Sequence, residues 1–240
     1  MFAGPNGSGK STLKSVLPRP LLGVYLNPDE IEAGIRRDGF LRIADFGVAT
    51  TAEEIQLFFA TAPLLLGAGL GQAARQLVFA GDRLEFDRAL VNSYFASVAA
   101  DFLQRKLMER QATFTLETVM SHPSKVELLR AAQRAGYRTY LYFIATDDPE
   151  INRSRVRHRV RAGGHAVPED RIVSRYHRSL RLLMEAIACT NRAYLFDNSG
   201  DGQERTWLAE ITDGRLLELK TDRVPAWFRR SVLDKISPSA

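Results

Sequence analysis

The chain has 240 residues, a formal net charge of +5, an apolar fraction of 45% and one cysteine. This is ample apolar content for one domain carrying an insertion, and the lone Cys189 excludes an internal disulfide and a cysteine-based zinc cluster. No basic stretch leads into an apolar one as in a secretory leader, and the longest uncharged run, residues 57–74, is interrupted by Pro63, Gly67, Gly69 and Gly71; the expectation is a soluble, cytoplasmic chain with no membrane span.

Residues 4–11 read Gly-Pro-Asn-Gly-Ser-Gly-Lys-Ser, the pattern G-x-x-x-x-G-K-[ST] of a phosphate-binding loop. Glycines let the backbone wrap a phosphate chain with its N–H groups inward, and a following helix start adds to the anion site. Gly4, Pro5, Asn6, Gly7, Ser8, Gly9, Lys10, Ser11 and Thr12 are therefore the candidate nucleotide-binding residues. Lys10 would reach the β- and γ-phosphates of ATP, and the Ser11 hydroxyl would hold Mg²⁺. Met1, Phe2 and Ala3 read as the end of a strand and residues 12–17 as a helix. Only three residues precede Gly4, so that strand is shorter than the usual five or six.

Further along, residues 22–26 form a short apolar strand, and Asp29 follows just past its C-terminal end, the edge where open α/β sheets bind ligands. Residues 39–91 read as an insertion, mostly helical. Thr51 and Glu54 form a capping box for a helix through Ala60, and a hairpin turns at Gly81-Asp82. Asn92 or Ser93 caps a helix reaching about Arg110; its Phe95 and Phe102 suit core packing better than base stacking. A strand over 113–118 ends in Glu117-Thr118, a helix covers 124–135 and a strand 137–145. Pro149 opens an arginine-rich helix to Arg161, and Pro168 opens another with Ile172, Tyr176, Leu180, Leu183 and Ile187 on its buried face. A strand over 193–197, a β-hairpin around Asp213-Gly214 and a helix over 225–236 complete the chain. Strands alternating with helices after a phosphate loop give a P-loop NTPase-type, doubly wound parallel sheet: one α/β domain over 1–240, with the insertion at about 39–91 and a C-terminal β-hairpin.

Five blocks occur in order: GPNGSGKST, NPDEI, FTLET, RVRHRVRAGGHAVPEDRIVSRYHRSL and YLFDNSG. Together they resemble the zeta-toxin family of P-loop kinases, in particular the short chromosomal zeta-toxin-like proteins. The resemblance covers 1–38 and about 93–200; the insertion has no counterpart in it. It implies ATP-dependent phosphorylation of a hydroxyl on a small molecule, such as UDP-N-acetylglucosamine, and it admits an antitoxin protein as partner. It matches Asp29 to the family's catalytic aspartate, selects Arg155 and Arg159 from the arginine helix, and matches Glu117, Thr118 and Ser121 to the strand end that holds substrate hydroxyls.

The chemistry of the residues is compatible with this. A phosphotransferase cradles ATP, holds Mg²⁺, activates a hydroxyl and neutralises charge on the moving phosphoryl group. Asp29 serves as general base or caps the helix that follows it, two compatible roles, and Glu30 is the competing acid. Arg155 and Arg159 share one helix row; Arg153, Arg157 and Arg161 form another, turned by about 200°. Glu117 could instead be a second acid near Mg²⁺. Gly163-Gly164-His165 reads as a lid turn. Arginines gathered on two helices beside a phosphate site are better phosphate ligands than a nucleic-acid surface, so a nucleic-acid-end kinase ranks below a small-molecule kinase. A nucleotide-gated ATPase without acceptor is the other alternative.

Overall fold

The computed structural model describes residues 1–163, 167–200 and 204–236, and the chain divides into two compact units: Met1–Pro18 with Glu117–Ala240, and Arg19–Leu116. Gly164 and His165 of the expected lid turn lie outside the described residues. The strands are β1 (Phe2–Ala3), β2 (Val24–Leu26), β3 (Phe40–Arg42), β4 (Val78–Ala80), β5 (Arg83–Glu85), β6 (Phe114–Thr118), β7 (Tyr140–Ala145), β8 (Arg192–Asp197), β9 (Thr206–Thr212) and β10 (Leu216–Leu219). The helices used below are α1 (Arg19–Leu22), α2 (Pro28–Asp38), α3 (Ala52–Ala60), α4 (Pro63–Gly67), α5 (Gly71–Arg75), α6 (Ser93–Glu109), α7 (Ser124–Arg134), α8 (Pro149–Arg161), α9 (Glu169–Ile187), α10 (Ala226–Phe228) and α11 (Asp234–Ile236).

A seven-stranded sheet runs in the order β10-β9-β8-β7-β1-β6-β2. Its pairs from β2 to β8 are parallel, and β9 and β10 close one side antiparallel. The expected doubly wound sheet and terminal hairpin are thus present. In the first unit, β7 reads Tyr-Leu-Tyr-Phe-Ile-Ala and is buried from Leu141 onward, as a parallel strand covered on both faces must be. The face of α9 is buried at the five positions its spacing predicts, Ile172 through Ile187, and it joins Val126 and Leu129 of α7 in the core. Burial pushes the Tyr176 phenol above its ordinary range, and its hydroxyl donates to the Thr146 carbonyl at 2.7 Å.

The segment after the phosphate loop is a 3₁₀ helix, Lys10–Val16, and not an α-helix. The terminal helix also departs from expectation: α10 runs into a π turn, Arg229–Leu233, and then α11. Trp227, Phe228 and Val232 of this segment are all fully buried.

In the second unit, β2 pairs with Phe114–Leu116 of β6. Asn27, and not Asp29, caps α2: its side chain accepts the Asp29 N–H at 2.9 Å, with Pro28 in the first turn. Thr51 accepts the Glu54 N–H at 3.2 Å, which is half of the capping box. The Glu54 carboxylate accepts from the Thr50 hydroxyl at 2.7 Å and from Lys106 Nζ of α6 at 2.9 Å. The Gly81-Asp82 hairpin forms, and β3 joins it in a three-stranded antiparallel sheet. Three residues are too few for β3 to show a period-two signal. Asn92 caps α6. Phe95 and Phe102 are core residues, edge-on to Phe86 at 5.9 Å and to Phe58 at 5.2 Å.

Candidate active site

The phosphate loop leaves β1 through Gly4, whose φ is +147°; a Cβ there would stand 2.0 Å from the Ile144 carbonyl oxygen of β7. Only glycine passes that close to a backbone. At Gly9, φ is +97° and a Cβ would meet the Asn198 side-chain nitrogen at 2.4 Å. Between them the loop is closed by Ser8 N–H donating to the Pro5 carbonyl at 3.2 Å, and Lys10 Nζ folds back to the same carbonyl at 3.0 Å.

Two asparagines from elsewhere in the first unit grip the loop from its outer side. Asn152, in the second half-turn of α8 and fully buried, donates through Nδ2 to the Asn6 carbonyl at 2.6 Å; its own carbonyl accepts the Thr146 hydroxyl. Asn198, the first residue after β8, donates through Nδ2 to the Ser8 carbonyl at 2.8 Å, and its backbone N–H donates to the Ala145 carbonyl. Arg205 reaches the Thr12 hydroxyl at 3.2 Å and the Ser15 hydroxyl at 3.4 Å. None of these three stood among the sequence candidates. The available signal for Asn198 was its place: a polar side chain just past a parallel strand's C-terminal end, next to a Ser and an Asp. Asn152 and Arg205 carry no periodic or motif signal.

The loop fits a polyphosphate. Among the described residues, two buried side-chain polar atoms have no hydrogen-bond partner, Asn6 Oδ1 and Ser8 Oγ, and both belong to the loop. A buried hydroxyl normally finds a partner. The Ser8 hydroxyl can donate to a phosphate oxygen, and Lys10 supplies the cation beside it. Ser11 is exposed at the start of the 3₁₀ helix, where a hydroxyl can serve a magnesium ion.

Glu117 and Thr118 pair in register with Phe2 and Ala3, so both stand at the strand end from which the loop departs. The Thr118 hydroxyl accepts the Met120 N–H at 3.1 Å, closing a turn in which Met120 has φ +53° with its side chain fully buried. Ser121, just beyond, is half-buried. Of the arginine rows, Arg153 is bound by Glu150 and Glu169, and Arg157 by Glu169 at 3.1 Å. Arg155 donates to the Asn198 carbonyl at 2.7 Å and to the Gly200 carbonyl at 2.9 Å, which ties α8 to the loop after β8. Arg159, one turn on, is exposed. Asp29 belongs to the second unit, exposed in the first turn of α2. A separate cavity lined by Tyr176, His177, Arg181, Arg230 and Lys235 includes no residue of the phosphate loop. Among the described residues, no helix is long and apolar enough to cross a membrane.

The family profile described as AAA domain (AAA_33) matches residues 1–183. A protein of Haemophilus influenzae described as uncharacterized is 33% identical over 63 residues, which are 26% of this chain and 45% of that protein. Among solved structures, the complex of AvrRxo1-ORF1 with AvrRxo1-ORF2 is similar in fold. The form with sulphate ions superposes at a TM-score of 0.54 and the form with ATP at 0.52, each 16% identical, covering 98% of this chain and 62% of that one. The chain thus spans less than two thirds of the relatives it matches.

Proposed function

The chain belongs to the AAA domain family, and from that premise we propose that it is an ATP-dependent phosphotransferase of zeta-toxin type acting on a small-molecule hydroxyl. The observation that carries this reading is the phosphate loop itself: a glycine backbone packed where no side chain fits, gripped by Asn152 and Asn198, with the Ser8 hydroxyl buried and partnerless beside Lys10. ATP in one similar structure and sulphate ions in another support a polyphosphate ligand at this loop.

In this reading Lys10 and the loop amides hold the β- and γ-phosphates and offset the charge that develops on transfer. Ser11 would hold a magnesium ion, which would supply withdrawal of charge from the phosphate oxygens. Asp29 accepts the proton of the acceptor hydroxyl. Glu117, Thr118 and Ser121 orient that acceptor. Arg155 has five N–H donors and commits two nitrogens to carbonyls, so the guanidinium keeps the loop after β8 in place while Arg159 faces the transferring group. A nucleotide sugar such as UDP-N-acetylglucosamine is the favoured acceptor class, on the resemblance of the five sequence blocks. The similar structures are two-protein complexes, which supports an antitoxin-like protein partner.

The deciding experiment incubates the protein with γ-labelled ATP and Mg²⁺ in the presence of nucleotide sugars, nucleosides and oligonucleotides, followed by mass analysis. Label on a nucleotide-sugar hydroxyl is expected. Label on oligonucleotide ends would move the assignment to a nucleic-acid-end kinase. Phosphate release with no labelled acceptor would leave the nucleotide-gated ATPase.

A further inference from the structure

We propose that the C-terminal segment around Trp227 is a positioning element for the phosphate loop, acting through a closed ring of hydrogen bonds that fixes Asn198. The inference rests on the reading of residues 4–12 as a nucleotide site.

The ring has four members. Trp227 donates its indole Nε1–H to Asp197 Oδ1 at 2.9 Å. The Ser199 hydroxyl donates to the same oxygen at 2.7 Å, and the Ser199 N–H reaches Asp197 Oδ2 at 3.3 Å. The Asp147 N–H donates to Ser199 Oγ at 2.9 Å. Asp147 Oδ1 accepts the backbone N–H of Trp227 at 2.9 Å, which returns the circuit to its start. Trp227 is fully buried and Asp197 is 2% exposed, so the indole–carboxylate bond is made where water does not compete, while Ser199 and Asp147 are half-buried. Arg223, also from the C-terminal segment, places its guanidinium 3.5 Å from Asp197 Oδ2.

Asn198 lies between two ring members. Asp197 and Ser199 on either side are hydrogen-bonded within the ring, and its own N–H donates to the Ala145 carbonyl, which holds the Asn198 backbone in place. The side-chain amide is therefore delivered to the Ser8 carbonyl, and it fills the space that a Cβ on Gly9 would need. That carbonyl belongs to the peptide linking Ser8 to Gly9, so the bond sets the peptide plane and with it the direction of the Gly9 N–H toward a phosphate. A residue some two hundred positions later in the chain thus governs the shape of the loop without touching its ligand.

The test uses two readouts on the full chain. Amide hydrogen exchange of residues 4–10 is measured without nucleotide, and ATP affinity is measured separately. Trp227→Phe keeps an aromatic ring and removes the indole donor; Asn198→Ala removes the last link; Leu129→Ala, in the core between α7 and α9, controls for general loosening. Trp227→Phe and Asn198→Ala should each speed exchange of residues 4–10 at least tenfold or so and weaken ATP binding about as much. The double variant should be little worse than either single one, since both break the same chain of contacts. Leu129→Ala should lower the melting temperature with loop exchange and affinity within about twofold of wild type. The proposal is overturned by unchanged exchange in folded Trp227→Phe, by full multiplicity in the double variant, or by an equal effect of Leu129→Ala. A wild-type protein whose loop exchange responds to these variants but which binds no ATP would sink the nucleotide reading and leave the ring as the loop's support.

Discussion

The surroundings of the phosphate loop and the interior of the second unit rely on different contacts. Around the phosphate loop, long-range bonds run from polar side chains to backbone carbonyls: Asn152 to Asn6, Asn198 to Ser8, Arg155 to Asn198 and Gly200. In the second unit residues 39–91 are joined to α6 by edge-on aromatic contacts, Phe58 on Phe102 and Phe86 on Phe95, with Lys106 and Glu54 at the margin. Aromatic packing tolerates rearrangement so long as volume is kept, whereas a carbonyl gripped by one amide has a defined direction. The comparison teaches that the contacts around the phosphate loop fix backbone orientation, whereas the aromatic contacts of the second unit bury surface.

Substitutions can break or sharpen that contrast. The largest effect is expected at Lys10: Lys10→Ala should abolish nucleotide turnover with circular dichroism and melting behaviour retained, and turnover at the wild-type rate in that variant would end the nucleotide reading. Asp29→Asn should slow transfer to an acceptor by about 10²–10⁴-fold, the usual contribution of a general base, with ATP affinity kept. If transfer changes less than about threefold, Glu30 becomes the next residue to substitute.

Phe59→Ala probes the other side of the contrast. Phe59 is fully buried against Phe86, so its truncation should cost about 3–5 kcal/mol of stability in urea denaturation. ATP affinity at a temperature where the variant is folded should stay within about twofold; a matching loss of affinity would dissolve the contrast. Within the arginine helix, Arg155→Lys should lower kcat on the order of tenfold, because an ammonium cannot span the Asn198 and Gly200 carbonyls together. Arg153→Lys should change kcat by less than about twofold, since its partners are the exposed carboxylates Glu150 and Glu169.

The smallest effect concerns Lys106. Its hydrogen bonds hold the Glu54 and Glu109 carboxyls below their ordinary value of 4.5. A carboxylate depressed in the folded state stabilises above its unfolded pKa, and the stabilisation is lost as pH falls through the folded value. Lys106→Met should therefore cost about 0.5 kcal/mol at pH 7, small because Glu54 and Glu109 are partly solvated, and the difference from wild type should shrink at pH 3.

The sequence made the loop, the parallel sheet and its terminal hairpin legible because all three rest on local signals: glycine spacing, apolar runs and turn residues. Asp29 was correctly placed past a strand end, yet its capping role went to Asn27, since the helix starts at Pro28, two positions earlier than expected. The residues that shape the loop from outside were not legible. Asn198 reaches Ser8 across 190 positions and Asn152 reaches Asn6 across 146, and contact at that separation leaves no periodic trace. The π turn after α10 was hidden as well, since residues 226–236 contain no glycine or proline to mark it.

The antiparallel hairpin of β9 and β10 has a consequence for how the protein behaves at high concentration. Without it β8, a strand of Tyr, Leu and Phe, would be the sheet's margin, offering bare amides and carbonyls to any neighbouring chain. β10 takes that place with four residues only; its Glu218 pairs at 2.5 Å with Lys220, the residue that follows the strand. Leu216 is 73% exposed there, but a short strand flanked by an ion pair is a poor template for another molecule's strand. The hairpin thus replaces β8 as the sheet's margin with a strand poorly suited to pairing with another chain.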